Sequence, residues 1–170
     1  MNKEVIYYNS PIGILELNAI DDKLTALLFT NSYKGKKVDE ASIQFEKATS
    51  NILKKTITQL DEYFKGDRKI FDINYTLNGT PFQQTVWNEL MNITYGNTIS
   101  YLRLSKRIGN VKAIRAVGTA NGNNQISIII PCHRVIGSNG DLIGYGGDLW
   151  RKKWLLEHEA KFGNGVQSLF

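Results

Sequence analysis

The sequence predicts two units. Residues 1–79 read as an α/β unit with a small antiparallel-type sheet and a helix, and residues 80–170 as a mostly helical unit carrying a helix-turn-helix. Three observations point there. Short β-rich runs cluster before residue 80. After it, capped segments place apolar residues at helical spacing. The charge divides at the same place: residues 1–80 carry 11 basic and 11 acidic side chains, whereas residues 81–170 carry 10 and 5. At 170 residues with 42% hydrophobic and 22% charged side chains, the chain can bury a real core and does not read as disordered.

In the first unit, Val5–Tyr8, Ile14–Ile20 and Leu24–Thr30 read as strands, with Asp21-Asp22 at a hairpin position. The polar stretch around Lys34–Asp39 reads as a loop. Ile52, Leu53, Ile57, Leu60 and Phe64 recur at helical spacing, which predicts a helix over Phe45–Phe64 stopped by Gly66. Phe71, Ile73, Tyr75 and Leu77 alternate strictly and predict a further strand. Asn78-Gly79 is a turn signal and marks the boundary between the units.

In the second unit, Thr80-Pro81-Phe82-Gln83 has the form of a capping box with proline in the first turn. Phe82, Val86, Leu90 and Ile93 carry that helix to Ile93. Ser100 caps a second helix, Tyr101–Ile108, which Gly109-Asn110 breaks before a third from Val111 to Asn121. Two short helices around a glycine turn make a helix-turn-helix candidate, and equally an ordinary helical hairpin in a core. Leu102, Ile108, Val111, Ile114 and Val117 are assigned to its core side, and Lys106, Arg107, Lys112 and Arg115 to its basic side. Ala113, Ala116, Gly118 and Ala120 make the third helix slim enough to approach a duplex groove. A last helix is expected over Leu149–Glu159.

Between Glu89 and Asp141 no acidic residue occurs, while Arg103, Lys106, Arg107, Lys112, Arg115 and Arg134 do. Positive potential can build there without cancellation, as a phosphate-binding surface requires. The one cysteine, Cys132, excludes an internal disulfide and any multi-cysteine metal site, and His133 and His158 leave little material for a histidine cage, so no metal and no cofactor are expected. The opening MNKEVIYYNS lacks the apolar core of a secretory signal, and no run approaches the roughly 18 apolar residues of a membrane span. The expectation is a soluble, cytoplasmic monomer.

Cys132 ends a β-branched run, Ile126–Ile130, and follows Pro131. A lone cysteine is commonly an inert apolar residue. Here a histidine adjoins it and the segment is basic, which favours thiolate over thiol. His133 can act as its base, through a water or a bent backbone, because neighbours in a strand face opposite ways. Glu157 or Glu159 can supply the carboxylate that orients the imidazole. His158 reads as a packing or capping residue.

These residues resemble a known family. Pro131-Cys132-His133-Arg134-Val135 is similar to the active-site motif of the methylated-DNA–protein-cysteine methyltransferases, the O6-alkylguanine-DNA alkyltransferases. The resemblance extends through Thr80-Pro81-Phe82-Gln83, Val86-Trp87, Tyr95-Gly96, Ser100-Tyr101, Arg115-Ala116-Val117-Gly118, Asn124, Gly144-Tyr145, Lys152, Trp154-Leu155-Leu156 and His158-Glu159. It covers residues 80–160; the first unit fits by size and by its βαβ-like pattern.

The resemblance implies a ribonuclease-H-like first unit and a winged-helix-like second one. It implies repair of DNA by direct reversal. O6-alkylguanine, and with it O4-alkylthymine, is flipped from double-stranded DNA, and the alkyl group passes irreversibly to Cys132, once per molecule. Carried over by position, His133 is the water-mediated base, Glu159 its orienting carboxylate and Asn124 the residue that holds the active-site turn. Tyr101 acts at the flipped base and its phosphate. Arg115 enters the stack in place of the extruded base, and Ser100, Lys112, Ala113 and Gly118 join it on the DNA-binding surface. Tyr145, Gly146 and Val135 line the base pocket. Gln125, Thr94 and Asp148 depart from the family pattern, which bears on pocket shape and alkyl range. Three other readings compete: a non-catalytic lesion binder, a helix-turn-helix regulator with a structural cysteine, and a small-molecule Cys–His hydrolase or transferase.

Overall fold

A computed structural model of the chain describes residues 1–163; the assignment of residues 164–170 to the second unit lies outside the described residues. Strands β1 (Lys3–Ser10), β2 (Gly13–Ile20) and β3 (Lys23–Phe29) form an antiparallel sheet in that order. Asp21 and Asp22 both have positive φ, 50° and 67°, and Ile20 pairs with Lys23. This is the two-residue turn whose twist matches a hairpin, and aspartate tolerates it better than most residues.

Helix α1 (Asn51–Phe64) buries Ile52, Leu53, Thr56, Gln59, Leu60 and Tyr63. It begins six residues later than its apolar spacing predicts. Ser50 Oγ caps it by accepting from Leu53 N at 3.3 Å, and the Glu4 carboxylate takes the amides of Thr49 and Ser50 at 2.8 and 3.0 Å. Those bonds hold the preceding chain outside the helix, and Phe45 is exposed.

The alternating segment Phe71–Leu77 does not become a strand. It touches β3 through one isolated bridge, Tyr75 to Leu24. The Gln59 side chain occupies the backbone of Asp72 on both sides, accepting from its N–H at 2.9 Å and donating to its carbonyl at 3.2 Å. The alternation records which side chains point inward, Ile73 above all, rather than a ladder.

In the second unit, α2 (Pro81–Leu90) opens on the complete capping box: Gln83 N donates to Thr80 Oγ1 at 3.1 Å and Thr80 N to Gln83 Oε1 at 3.0 Å. It ends at Leu90, short of Ile93, because the amides of Met91, Asn92 and Ile93 turn to carbonyls three residues back. Strand β4 (Ile99–Ser100) precedes α3 (Tyr101–Ile108), whose cap is Ser100 Oγ, 3.0 Å from Arg103 N. Gly109 ends α3 at φ 90°, a conformation that favours glycine. The third helix is split: Val111–Ala113 form a tight 3₁₀ turn before α4 (Ile114–Gly122). Of the residues assigned to the core side of this pair, Val117 is buried, but Leu102, Val111 and Ile114 are 37%, 51% and 39% exposed. Trp87 on α2 is fully buried and donates to Ala120 O at 2.8 Å, locking α2 to α4.

Two connections place the reactive segment. Leu27 on β3 donates to Gln125 O at 2.9 Å and accepts from Ser127 N at 2.8 Å, seating the chain before Cys132 on the first sheet. After the cysteine, β5 (Val135–Ile136) pairs in parallel with β4, Val135 opposite Ile99. The β-branched run itself is not a strand; it makes one bridge, Ile126 to Leu27, and Ile128 sits at φ 71°. Helix α5 (Leu149–Gly163) continues past its expected end at Glu159. No described helix is long and apolar enough to cross a membrane.

Candidate active site

Cys132 stands at the start of a 3₁₀ turn, Cys132–Arg134, and is 5% exposed. Asn124 builds the turn that holds it. Its Nδ2 lies 2.8 Å from Ile130 O, 3.1 Å from Ile126 O and 3.2 Å from Cys132 Sγ, and its Oδ1 accepts from Ile126 N at 3.0 Å. Burial pushes the Cys132 thiol up, while the Asn124 bond and the Lys152 charge pull it back.

His133 is fully buried and makes no direct bond to Cys132. Its Nε2 lies 2.8 Å from Glu159 Oε2, and its Nδ1 is buried without a partner among the described residues. An imidazole that donates Nε2–H to a carboxylate keeps Nδ1 as an acceptor. Burial holds His133 below the usual imidazole range even against the pull of Glu159. Burial alone would raise Glu159, but His133 and Arg134 outweigh it and hold the carboxyl far below its ordinary range. Arg134 Nε lies 2.7 Å from Glu159 Oε1, so the ion pair is buried on both sides. Glu157, the other carboxylate considered, is exposed and faces Lys153 at 3.9 Å. His158 is a packing histidine: it stacks on Trp154 and meets Tyr63 O at 2.7 Å.

Tyr101 and Arg115 share a groove of about 550 Å³, with Ile114, Gly118, Thr119, Ile143 and Gly144 as the rest of its lining. The Tyr101 hydroxyl donates to Ile143 O at 2.7 Å and is pushed up to about 12 by burial and the nearby Cys132. Arg115 and Lys112 are exposed, Ala113 and Gly118 half-buried. Lys112 and Ala113 do not line this groove. Ser100 borders a second, basic one of about 520 Å³ with Leu102, Arg103, Lys106 and Arg107. The exposed apolar residues of α3 and α4 therefore help form a groove-bearing surface, which an ordinary core hairpin would not present. Tyr145 is buried, with its hydroxyl unpartnered among the described residues and Cys132 among the causes of its high pKa. Val135 is fully buried, and Gly146 is half-buried with its carbonyl taken by Lys34 N at 2.9 Å.

Several contributors were not legible as such. Lys152 is fully buried; its Nζ donates to Ile143 O at 3.0 Å and Gly144 O at 3.1 Å, and lies 3.4 Å from the Tyr101 hydroxyl. Burial brings its ammonium down to about 8. A signal for it existed: Lys152, Leu155, Leu156 and Glu159 fall on one helical face, which marks Lys152 and Glu159 as inward and Glu157 as outward. The first unit also reaches the site. Tyr63 OH donates to Glu159 Oε2 at 2.7 Å, and Tyr33 N donates to Asp148 Oδ1 at 3.0 Å. Asp148, at φ 75°, also meets Arg151 at 3.2 Å, so this departure from the family pattern ties the pocket loop down. Among the described residues no cluster of His, Cys, Asp and Glu is arranged to hold a metal.

Comparison with known proteins places the whole chain in one family. Residues 81–161 match the family model described as the 6-O-methylguanine DNA methyltransferase DNA-binding domain, and residues 5–77 match that family's ribonuclease-like domain. A methylated-DNA–protein-cysteine methyltransferase of Methanosarcina acetivorans is 43% identical over 153 residues, covering 90% of this chain and 96% of the relative. The crystal structure of Mycobacterium tuberculosis O6-methylguanine methyltransferase superposes with a TM-score of 0.82 at 39% identity, covering 97% of each chain. The structure of the M. tuberculosis protein OGT in complex with DNA superposes at 0.80 with 41% identity over 92% of each chain. On this evidence the chain belongs to the methylated-DNA–protein-cysteine methyltransferase family.

Proposed function

We propose that this protein repairs DNA by taking the alkyl group of O6-alkylguanine onto Cys132, one group per molecule. The observation that carries the reading is the buried Cys132 sulphur, held by Asn124 at 3.2 Å beside the His133–Glu159 pair and close to the groove that Tyr101 shares with Arg115. An alkylated base inside a duplex cannot reach a buried sulphur, so the nucleotide is extruded at a cost of a few kcal/mol. Arg115, exposed on α4, fills the gap, while Ser100, Lys112, Ala113 and Gly118 present the slim basic surface that follows the duplex. The free N–H groups at the start of α3 add a phosphate contact.

His133 accepts the thiol proton through a water at Nδ1, and Glu159 stabilises the imidazolium that forms. The thiolate attacks the alkyl carbon. An S–C bond forms, the C–O bond breaks, and the guanine leaves with the electron pair. A proton donated by Tyr101 meets that charge as it develops, once its hydroxyl exchanges Ile143 O for the base. Lys152, bonded to the consecutive carbonyls of Ile143 and Gly144 and 3.4 Å from the Tyr101 hydroxyl, holds the tyrosine and favours the thiolate. Tyr145, Gly146 and Val135 form the wall against which the base and its alkyl group rest. The product is a thioether, and the chain has no second cysteine to resolve it. O4-alkylthymine presents the same alkyl–oxygen bond and is a secondary substrate. The protein works as a cytoplasmic monomer.

The test is stoichiometry. Titrating a duplex that contains O6-methylguanine with increasing protein should give one lesion repaired per molecule, and Cys132→Ala should bind the duplex and repair none. Many lesions repaired per molecule, or repair by Cys132→Ala, overturns the reading.

A further inference from the structure

Glu159 Oε2 is shared by three donors. His133 Nε2 lies at 2.8 Å, Arg134 Nη2 at 3.1 Å, and the Tyr63 hydroxyl, from the last turn of α1, at 2.7 Å. The tyrosine is separated from the glutamate by 96 positions and belongs to the sheet-bearing first unit. A buried phenol needs an acceptor, and a backbone carbonyl would serve for stability alone. This one is spent on the oxygen that faces the catalytic imidazole.

We infer that Tyr63 is a positioning residue for alkyl transfer, its hydroxyl fixing the Glu159 carboxylate and drawing charge from the oxygen that holds His133. The inference rests on the His133–Glu159 relay proposed above. With Arg134 Nε on Oε1 and three donors on Oε2, the carboxylate has no freedom to rotate. A carboxylate so loaded is a weaker base and stabilises an imidazolium less. His133 therefore remains neutral, with Nε2–H committed to Glu159 and Nδ1 available. The other groups bearing on this charge are few. Tyr95 faces Arg134 and Glu159 from the loop after α2, Tyr145 from the pocket loop, and His158 from α5 itself; Arg134 and Lys152 oppose a charge on His133. None of Tyr95, Tyr145 and His158 donates a hydrogen bond to the shared oxygen. The Tyr63 ring packs against Phe64, Phe71, Tyr95 and His158, and phenylalanine preserves all of those contacts.

The experiment compares Tyr63→Phe and Glu159→Gln with the parent protein. The rate of single-turnover methyl transfer from duplex is measured from roughly pH 5 to 9. Histidine NMR titration is run in parallel, with His133 and His158 the only imidazoles to resolve. Removing the hydroxyl should raise the pH at which His133 becomes neutral, so the acid limb moves up by about half to one pH unit, with plateau rate and DNA affinity changed less than about threefold. A site-specific fluorotyrosine, a stronger donor, should move the limb down; it retains the hydroxyl and so covers the case in which Tyr63→Phe does not fold. Limbs and titrations that coincide with the parent in the Tyr63 variants, while Glu159→Gln displaces them, overturn this inference alone. Coincidence in Glu159→Gln as well overturns the relay itself.

Discussion

Asn124 Nδ2 stands 3.2 Å from Cys132 Sγ and at the same time spans the carbonyls of Ile126 and Ile130. One amide thus bends the chain that presents the sulphur and places a donor against it. A hydrogen bond to a charged group contributes about 1.5–3 kcal/mol, roughly ten- to a hundredfold in thiolate population. Asn124→Ala should raise the Cys132 pKa and slow transfer by about that factor at neutral pH, read by thiolate absorbance and single-turnover kinetics. Asn124→Asp, which sets a negative charge beside the sulphur, should slow it further. A variant with unchanged thiol titration would leave Asn124 as a purely structural residue.

The pH dependence follows from His133 and Lys152. His133 must be neutral to accept the thiol proton, and burial holds it below the ordinary imidazole range. Transfer should therefore persist to lower pH than an ordinary imidazole base would allow, and fall only on the acid side of that range. Lys152 is brought down to about 8, and its positive charge favours the thiolate. As pH rises through that value the ammonium is lost, so the rate should level or decline where a free thiol would keep gaining reactivity. Lys152→Met should abolish the decline and lower the neutral rate by about tenfold or more. A rate that climbs steadily to pH 9 in the parent would contradict this assignment.

Arg115 is exposed on α4 and shares its groove with Tyr101. If Arg115 fills the vacated stack as proposed, Arg115→Ala should slow transfer from duplex by about tenfold or more, while reaction with free O6-methylguanine base changes little. Equal slowing on both substrates would remove the extrusion role.

Asp148 occupies φ 75° and ties the pocket loop to Tyr33 N and Arg151. Asp148→Gly relieves backbone strain of about 1–3 kcal/mol but deletes both carboxylate contacts, so the melting temperature should change little. The loop should exchange amide hydrogens faster, and the ratio of benzyl to methyl transfer should rise. An unchanged ratio would show that the latch does not limit the alkyl group.

Carboxylates held low in the fold contribute stability above the ordinary carboxylate range and lose it as pH falls through their folded values. For Glu159 that loss is displaced to strongly acid pH, since His133 and Arg134 hold it far below the ordinary range. Glu159→Gln should destabilise the protein by several kcal/mol at neutral pH, leaving the Arg134 guanidinium buried without a counter-charge, and should flatten the acid limb of a stability–pH curve. Chemical denaturation at several pH values checks both parts.

Local rules carried much of this fold. Asp21-Asp22 marked a hairpin because two positive-φ residues are what that turn demands, and Thr80 to Gln83 marked a helix start because both capping bonds are local. Two of the readings that missed did so because a partner outside the segment takes over a backbone group. Gln59 occupies the amide of the alternating Phe71–Leu77 segment, and Glu4 holds the chain ahead of α1. The Ile126–Ile130 run is β-branched, yet Asn124 folds it into a turn. At the site, Cys132, His133 and Asn124 were legible because they lie within nine residues of one another. Tyr63 was not, since no pattern connects positions 96 apart, and Lys152 entered only as part of the family resemblance, with no contact assigned to it.

The most direct test of the account is the mass of the protein after incubation with a duplex bearing O6-methylguanine, followed by peptide mapping. One methyl group should be added per molecule, located on the peptide containing Cys132, with unmodified guanine restored in the DNA. Binding to the duplex without a mass gain, or a methyl group on any other residue, would contradict it.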